Sequence, residues 1–188
     1  MTEKQRLPRV AFQGERGAFS EDAAIQLLGP DITLVPRPTF EALFESLDEN
    51  VSDFVLAPVE NTTIGEIKPV RALLAERPLV EAGEISIRIS HQLIGCPGVK
   101  LEQLIAVESH PAALSQCQKF LRDHPRLEQI EADDTAGSVA RIIKSAVRER
   151  AAIASERAAK FYGGAVIEKN IQDLTDNYTR FVLFRKES

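Results

Sequence analysis

The sequence predicts an α/β protein of two lobes with mainly parallel sheets around a cleft. Three observations carry this. Short apolar runs alternate with helical periodicities along the whole chain, the pattern of parallel strands joined by crossover helices. The alternation restarts at Leu104, giving two halves of similar length. The long extended run Gly83–Gly95, ended by Pro97-Gly98, is the natural crossover between them. A second crossover near residues 174–181 would return the chain. The first lobe then takes residues 1–85 plus about 175–188, and the second takes residues 86–174.

In order, Arg9–Gln13 reads as a strand and Gly14-Glu15-Arg16-Gly17 as a turn. Ser20 is placed to N-cap a helix over Glu21–Leu28, which has acids in its first turn. Ile32–Pro36 is a strand, Thr39 caps the helix Phe40–Glu49, and the apolar Asp53–Pro58 is a third strand. Val70–Glu76 is a short helix ahead of the crossover. In the second half, Leu104–Glu108 is a strand, and Pro111 opens a helix to Leu121 at a position proline favours. Glu128–Glu131 is a strand, Thr135–Arg148 a helix, and Ala151–Ala154 a strand. Glu156–Tyr162 is a helix stopped by Gly163-Gly164. Val166-Ile167 and Thr179–Phe184 are the last strands.

The chain has 188 residues, 44% of them hydrophobic and 27% charged, which is ordinary globular composition. Its net charge of −5 comes from interspersed acids and bases, so no nucleic-acid surface is expected and any anion must be bound locally. Two cysteines, Cys96 and Cys117, lack a C-x-x-C pattern and read as two buried or semi-buried thiols. His91, His110 and His124 lack the close pairing of a helical metal site, so no metal is expected. The N-terminus, Met1 to Arg6, leads into a strand without an apolar signal region. No transmembrane run follows, so the expected location is the cytoplasm.

In open α/β sheets, ligands bind at the carboxyl ends of strands, where helix N-termini point. The unusual polar residues fall at such turns. They are Gly14–Ser20, Glu60-Asn61-Thr62-Thr63, Ser109-His110, Asp134-Thr135 and Ser155. Each turn offers backbone N–H groups and a hydroxyl or amide. Serine and threonine also favour such places simply as N-caps. The tandem Glu60-Asn61 is a poor cap, and Thr179-Arg180 puts an alcohol and a guanidinium at the entrance of an apolar strand. Together these residues point to a binder of a small anion, enzyme or not. Gly14-x-x-Gly17 is not a phosphate loop, because the lysine and the remaining glycines are missing.

Taken in order, these segments resemble the prephenate dehydratase family. Val10–Ser20 matches its opening V-A-[FY]-x-G-x-x-G-[TA]-[FY]-S stretch, and Pro58–Thr62 its P-[IV]-E-N-S segment. Ser109–Cys117 matches S-H-P-Q-A-L-x-Q-C, and Thr135-Ala136 a helix opening. Ala152–Ser155 and Ala158–Gly163 match A-I-A-S and A-A-x-x-Y-G, and Asn177–Phe181 the closing N-x-T-R-F. Thr62 stands where the family usually has serine, and Ala112 where it usually has glutamine, while Gln116 is retained. Members commonly continue into an ACT domain that binds phenylalanine, and this chain stops at Ser188. The resemblance therefore implies no feedback inhibition through such a domain.

The resemblance implies a type II periplasmic-binding-protein-like fold, conversion of prephenate to phenylpyruvate with loss of carbon dioxide and water, and no cofactor. Thr179 would donate to the departing hydroxyl, Arg180 would anchor a carboxylate or fix the loop, and Phe181 would exclude water. Asn61, Ser109, Gln116, Thr135 and Ser155 would orient the dianionic substrate. Thr62 and Ser20 would line the site, and Glu60 would position the Asn61 loop, with an acid role as runner-up. A homodimer is the expected assembly. Three rivals stand beside this reading: arogenate as substrate, decarboxylation without dehydration, and a non-catalytic bilobal anion binder. An intact Thr179-Arg180-Phe181 favours dehydration over bare decarboxylation.

Overall fold

The computed structural model describes residues 6–187; Met1–Gln5 and Ser188 lie outside the described residues, and with them most of the stretch Met1 to Arg6 read above for a signal region. The chain forms two compact units. One takes the residues up to Gln13, Ser20–Ile87, and those from Tyr178 on; the other takes Gly14–Phe19 and Arg88–Asn177.

The first unit is built on a mixed sheet. Its strands are β1 (Arg9–Gln13), β2 (Thr33–Arg37), β3 (Phe54–Asn61), the short β4 (Gly65–Glu66), β5 (Leu79–Arg88) and β11 (Tyr178–Lys186), with main path β2-β1-β3-β11-β5. β1 pairs in parallel with β2 and β3, whereas β11 runs antiparallel to β3. The helices are α1 (Phe19–Leu28), α2 (Phe40–Asp48) and α3 (Lys68–Ala75). Thr39 caps α2 as expected, accepting from the Ala42 N–H. Leu43 and Phe44 of α2 and Val70 of α3 are fully buried and pack with Val55 and Ala57 of β3 and with Val182 of β11. Each such side chain contributes roughly 1.5–3 kcal/mol by leaving water. β1 is also clamped by Asp53, whose carboxylate takes the Arg9 backbone and guanidinium N–H groups. Those Arg9 hydrogen bonds hold the Asp53 carboxyl down to about 2.

The second unit holds β6 (Gln92–Gly95), β7 (Ala106–Ser109), β8 (Glu128–Glu131), β9 (Arg150–Ala154) and β10 (Ala165–Glu168), in the order β10-β6-β9-β7-β8. β7 is parallel to β8 and β9, and β6 is antiparallel to β9 and β10. Val107 and Ile153 are fully buried at its centre. Its helices are α4 (Pro111–Ser115), α5 (Gln118–Asp123), α6 (Thr135–Lys144) and α7 (Glu156–Tyr162).

Five local expectations are corrected. The extended run is two strands, broken where the backbone N–H groups of Ile89 and His91 turn to Asn177 O and Gln172 Oε1 at 2.7 and 2.9 Å. The helix predicted over Pro111–Leu121 is two, because Asp173 accepts from the N–H groups of Gln118 and Lys119 and starts α5 anew. α6 ends at Lys144, and the chain turns at Ala146 in the left-handed region, φ 51°. α1 begins at Phe19, so Ser20 lies inside its first turn instead of capping it. β3 runs on to Asn61, so Glu60-Asn61 are strand residues. Pro58 is accommodated there beside a bulge, where Val59 is the extra residue of β3 between the pairs Pro58–Phe181 and Glu60–Arg180.

Among the described residues no helix is long and apolar enough to cross a membrane, and no cluster of His, Cys, Asp or Glu could hold a metal ion.

Candidate functional site

The sequence-predicted residues divide between the two units. Ser20, Glu60, Asn61, Thr62, Thr179, Arg180 and Phe181 belong to the first; Ser109, Gln116, Thr135 and Ser155 belong to the second.

In the first unit β3 and β11 pair Asn61 with Thr179 and Glu60 with Arg180. Successive strand residues face opposite ways, so this register sorts the four by face. Asn61 and Thr179 are 5% and 8% exposed, and the Asn61 Nδ2 donates to Thr179 Oγ1 at 2.8 Å. The orientation of that amide is dictated by chemistry. Its oxygen accepts from the backbone N–H groups of Thr63 and Ile64 at 2.8 and 3.2 Å, so its NH2 end must face the threonine. Thr179 is thereby an acceptor from Asn61, and its own hydrogen is left to donate. Thr62 closes the pairing: its hydroxyl accepts from the Tyr178 N–H and its N–H donates to the Tyr178 carbonyl, each at 2.9 Å. Phe181 is buried behind the bulge, and Ser20 is buried in α1.

The other face differs. Arg180 makes ion pairs with Glu84 at 3.1 Å and Glu60 at 3.6 Å, all three side chains being well exposed. Arg180 and Glu60 border a groove of about 330 Å³ whose charged lining is Glu60, Glu66, Glu81, Arg71 and Arg180. Three carboxylates against two guanidiniums make a poor receptor for an anion.

In the second unit the two serines are committed to the backbone. Ser109 Oγ donates to the Ile153 carbonyl at 2.6 Å, tying β7 to β9. Ser155 Oγ donates to the Gly17 carbonyl at 2.6 Å and accepts from the Ala158 N–H as the cap of α7. Gly17 sits at φ +88°, and a Cβ there would lie 2.8 Å from the Ala158 Cα, so only glycine lets the Gly14–Phe19 turn seat on α7. Asp134, not Thr135, caps α6. Thr135, half-buried, has no side-chain partner among the described residues.

Gln116 is the hub. Its Oε1 accepts from Asn177 Nδ2 at 2.9 Å and faces His91 Nε2 at 2.8 Å. It is half-buried, and its NH2 has no acceptor among the described residues. Beside it, burial and then the Asp173 charge push the Cys117 thiol up to about 12, far too high for a nucleophile.

Comparison with known proteins decides the family. A family model for prephenate dehydratase matches residues 10–188. The chain belongs to the prephenate dehydratase family. A curated relative, arogenate dehydratase/prephenate dehydratase 2 of Arabidopsis thaliana, is 39% identical over 179 residues, covering 95% of this chain and 46% of its own length. The chain thus spans about half the length of such relatives. The prephenate dehydratase of Arthrobacter aurescens, solved with L-Phe, superposes with a TM-score of 0.87 at 26% identity, over 96% of this chain and 61% of that one. GqqA, described as a novel type of quorum quenching acylase, gives 0.84 at 29% identity, over 96% and 64%. The family's two-sheet architecture extends, at the level of fold alone, to a periplasmic substrate-binding protein of Coxiella burnetii, 13% identical with a TM-score of 0.51.

Three contributors escaped the reading of the sequence. Asn177 falls in the family's N-x-T-R-F motif, and the sequence suggests no role for it. Gly17 looked like an ordinary turn glycine. His91 was weighed only as a metal ligand, although a histidine inside an apolar run that ends up 3% exposed was the available signal.

Proposed function

We propose that this chain converts prephenate to phenylpyruvate, releasing carbon dioxide and water as the ring becomes aromatic. The observation that carries the proposal is the Asn61–Thr179 pair, a buried alcohol whose oxygen is held by a fixed amide and whose hydrogen is left to donate. As the carbon–carboxylate bond breaks, its electron pair flows into the ring and leaves with the hydroxyl at the opposite carbon. Aromatisation drives the step, so no electron sink is required. A threonine hydroxyl is too weak to act as an ordinary acid. Its contribution is a hydrogen bond that strengthens as hydroxide character grows on the leaving oxygen, and the expelled hydroxide becomes water by taking up one proton from the bulk medium.

In this reading the Gln116 NH2 receives a carboxylate of the dianion and the Thr135 hydroxyl makes a further polar contact. Ser109 and Ser155 fix the backbone of the second unit, Thr62 and Ser20 belong to the first, and Phe181 keeps its strand dry. Arg180 and Glu60 fix the β3–β11 edge through their ion pair, so a substrate carboxylate would have to displace Glu60 and Glu84 to reach the guanidinium. A cytoplasmic location and a homodimeric assembly go with the proposal.

Arogenate is a second reading, favoured by the arogenate/prephenate dehydratase name of the Arabidopsis relative. Parallel assays of the two substrates decide between them. We expect the larger kcat/KM for prephenate; a larger value for arogenate would reverse the assignment. An acylase reading lacks a nucleophile and base in contact among the described residues. Ser109 and Ser155 bond to backbone carbonyls, and His91 faces Gln116.

A further inference from the structure

Asn177, Gln116 and His91 share one acceptor oxygen, and that arrangement restricts the protonation of the imidazole. Because Asn177 Nδ2 already donates to Gln116 Oε1, the oxygen end of the glutamine faces His91. At 2.8 Å from that oxygen, His91 Nε2 must carry a hydrogen, since a lone pair there would meet lone pairs. The other ring nitrogen, Nδ1, is buried with no partner among the described residues. A hydrogen on Nδ1 would be an orphaned buried donor, so the ring holds the neutral Nε2–H form. Burial favours the same neutral ring by pushing the imidazole pKa below its ordinary range. The backbone around it is fixed as well: the His91 N–H donates to Gln172 Oε1, the His91 carbonyl accepts from the Ile171 N–H, and Phe19 packs edge-on at 5.5 Å.

We propose that His91 is a positioning residue: its Nε2–H, together with Asn177, turns the Gln116 oxygen inward and so presents the Gln116 NH2 to a carboxylate of the ligand. This rests on the substrate reading above for the identity of the ligand, and on this chain's own hydrogen bonds for everything else. His91 itself touches no substrate. Without its donor the glutamine amide is free to flip, and an oxygen would then face the incoming carboxylate.

Two measurements test it. Histidine side-chain nitrogen NMR on the unliganded protein should find His91 as the neutral Nε2–H tautomer; an Nδ1–H tautomer or an imidazolium at neutral pH overturns the proposal. Prephenate binding to the folded His91→Leu protein, read by calorimetry and as KM, should weaken by roughly 10- to 100-fold, the worth of one oriented donor to a charged group, with a smaller change in kcat. His91→Gln, which supplies an N–H at similar reach, should recover most of that loss. Wild-type affinity in His91→Leu, or no recovery in His91→Gln, refutes the positioning role. A wild-type protein that binds prephenate without turning it over sinks the proposed reaction instead and leaves the tautomer and affinity results to decide on His91.

Discussion

On one face of β11, Thr179 is 8% exposed and its hydroxyl is bonded to a neutral amide; on the other, Arg180 lies in water among carboxylates. Adjacent residues thus live in opposite electrostatic settings. The buried face has partners fixed by backbone contacts, so the Thr179 hydrogen, which has no acceptor among the described residues, has a defined direction. The exposed face has several mobile charges whose mutual pairing is screened, and such pairs are worth little individually. A site that must recognise charge development in one bond gains from the first kind of environment. On the proposed reading, the difference teaches that the chemistry of the Thr-Arg dipeptide is carried by its less conspicuous member.

The comparison breaks most sharply at Thr179. Thr179→Ala should lower kcat by roughly 10²–10⁴-fold, the range for a positioned proton donor, with a thermal unfolding profile close to wild type; turnover near wild type would return the role to another group. Asn61→Asp comes next. A carboxylate there still accepts from Thr63 and Ile64, but it would take the Thr179 hydrogen for itself, and kcat should fall by about 10- to 100-fold. Steady-state rates equal to those of the wild type would show that the amide does not set the direction of the hydroxyl. Arg180→Lys should do least, changing KM by no more than about three-fold, because exposed pairs contribute little. A KM rise of tenfold or more would mean that the guanidinium leaves its glutamates for the substrate and that the two faces act together.

Much of the fold was legible because each strand signal was local. The apolar run at Arg9–Gln13 and the helix Glu156–Tyr162 with its Gly163 stop needed only period and punctuation. What escaped depends on residues distant in sequence. Nothing near Gln116 announces that Asp173 will restart the helix behind it, and nothing near His91 announces that Asn177 and Gln172 will divide the extended run. The reach of β3 to Asn61 was hidden by Pro58, which reads as a strand end until the bulge beside it, at Val59, is known.

The same limit applies to the site. Thr179, Asn61 and Gln116 were legible as residue types, but their hydrogen-bond directions were not, since an amide's orientation is set by every partner it has. Ser109 and Ser155 carry the right chemistry for ligand contact, yet both hydroxyl hydrogens go to carbonyls contributed from elsewhere in the chain. Arg180 drew notice for its charge, whereas the side it faces depended on a strand register that only the pairing with β3 reveals.

Identifying the product formed from prephenate tests the central claim most directly. The account predicts phenylpyruvate and carbon dioxide in equal amounts. A non-aromatic decarboxylated acid, or binding without any product, would contradict it, because the hydrogen that Asn61 leaves free on Thr179 would then have no leaving hydroxyl to meet.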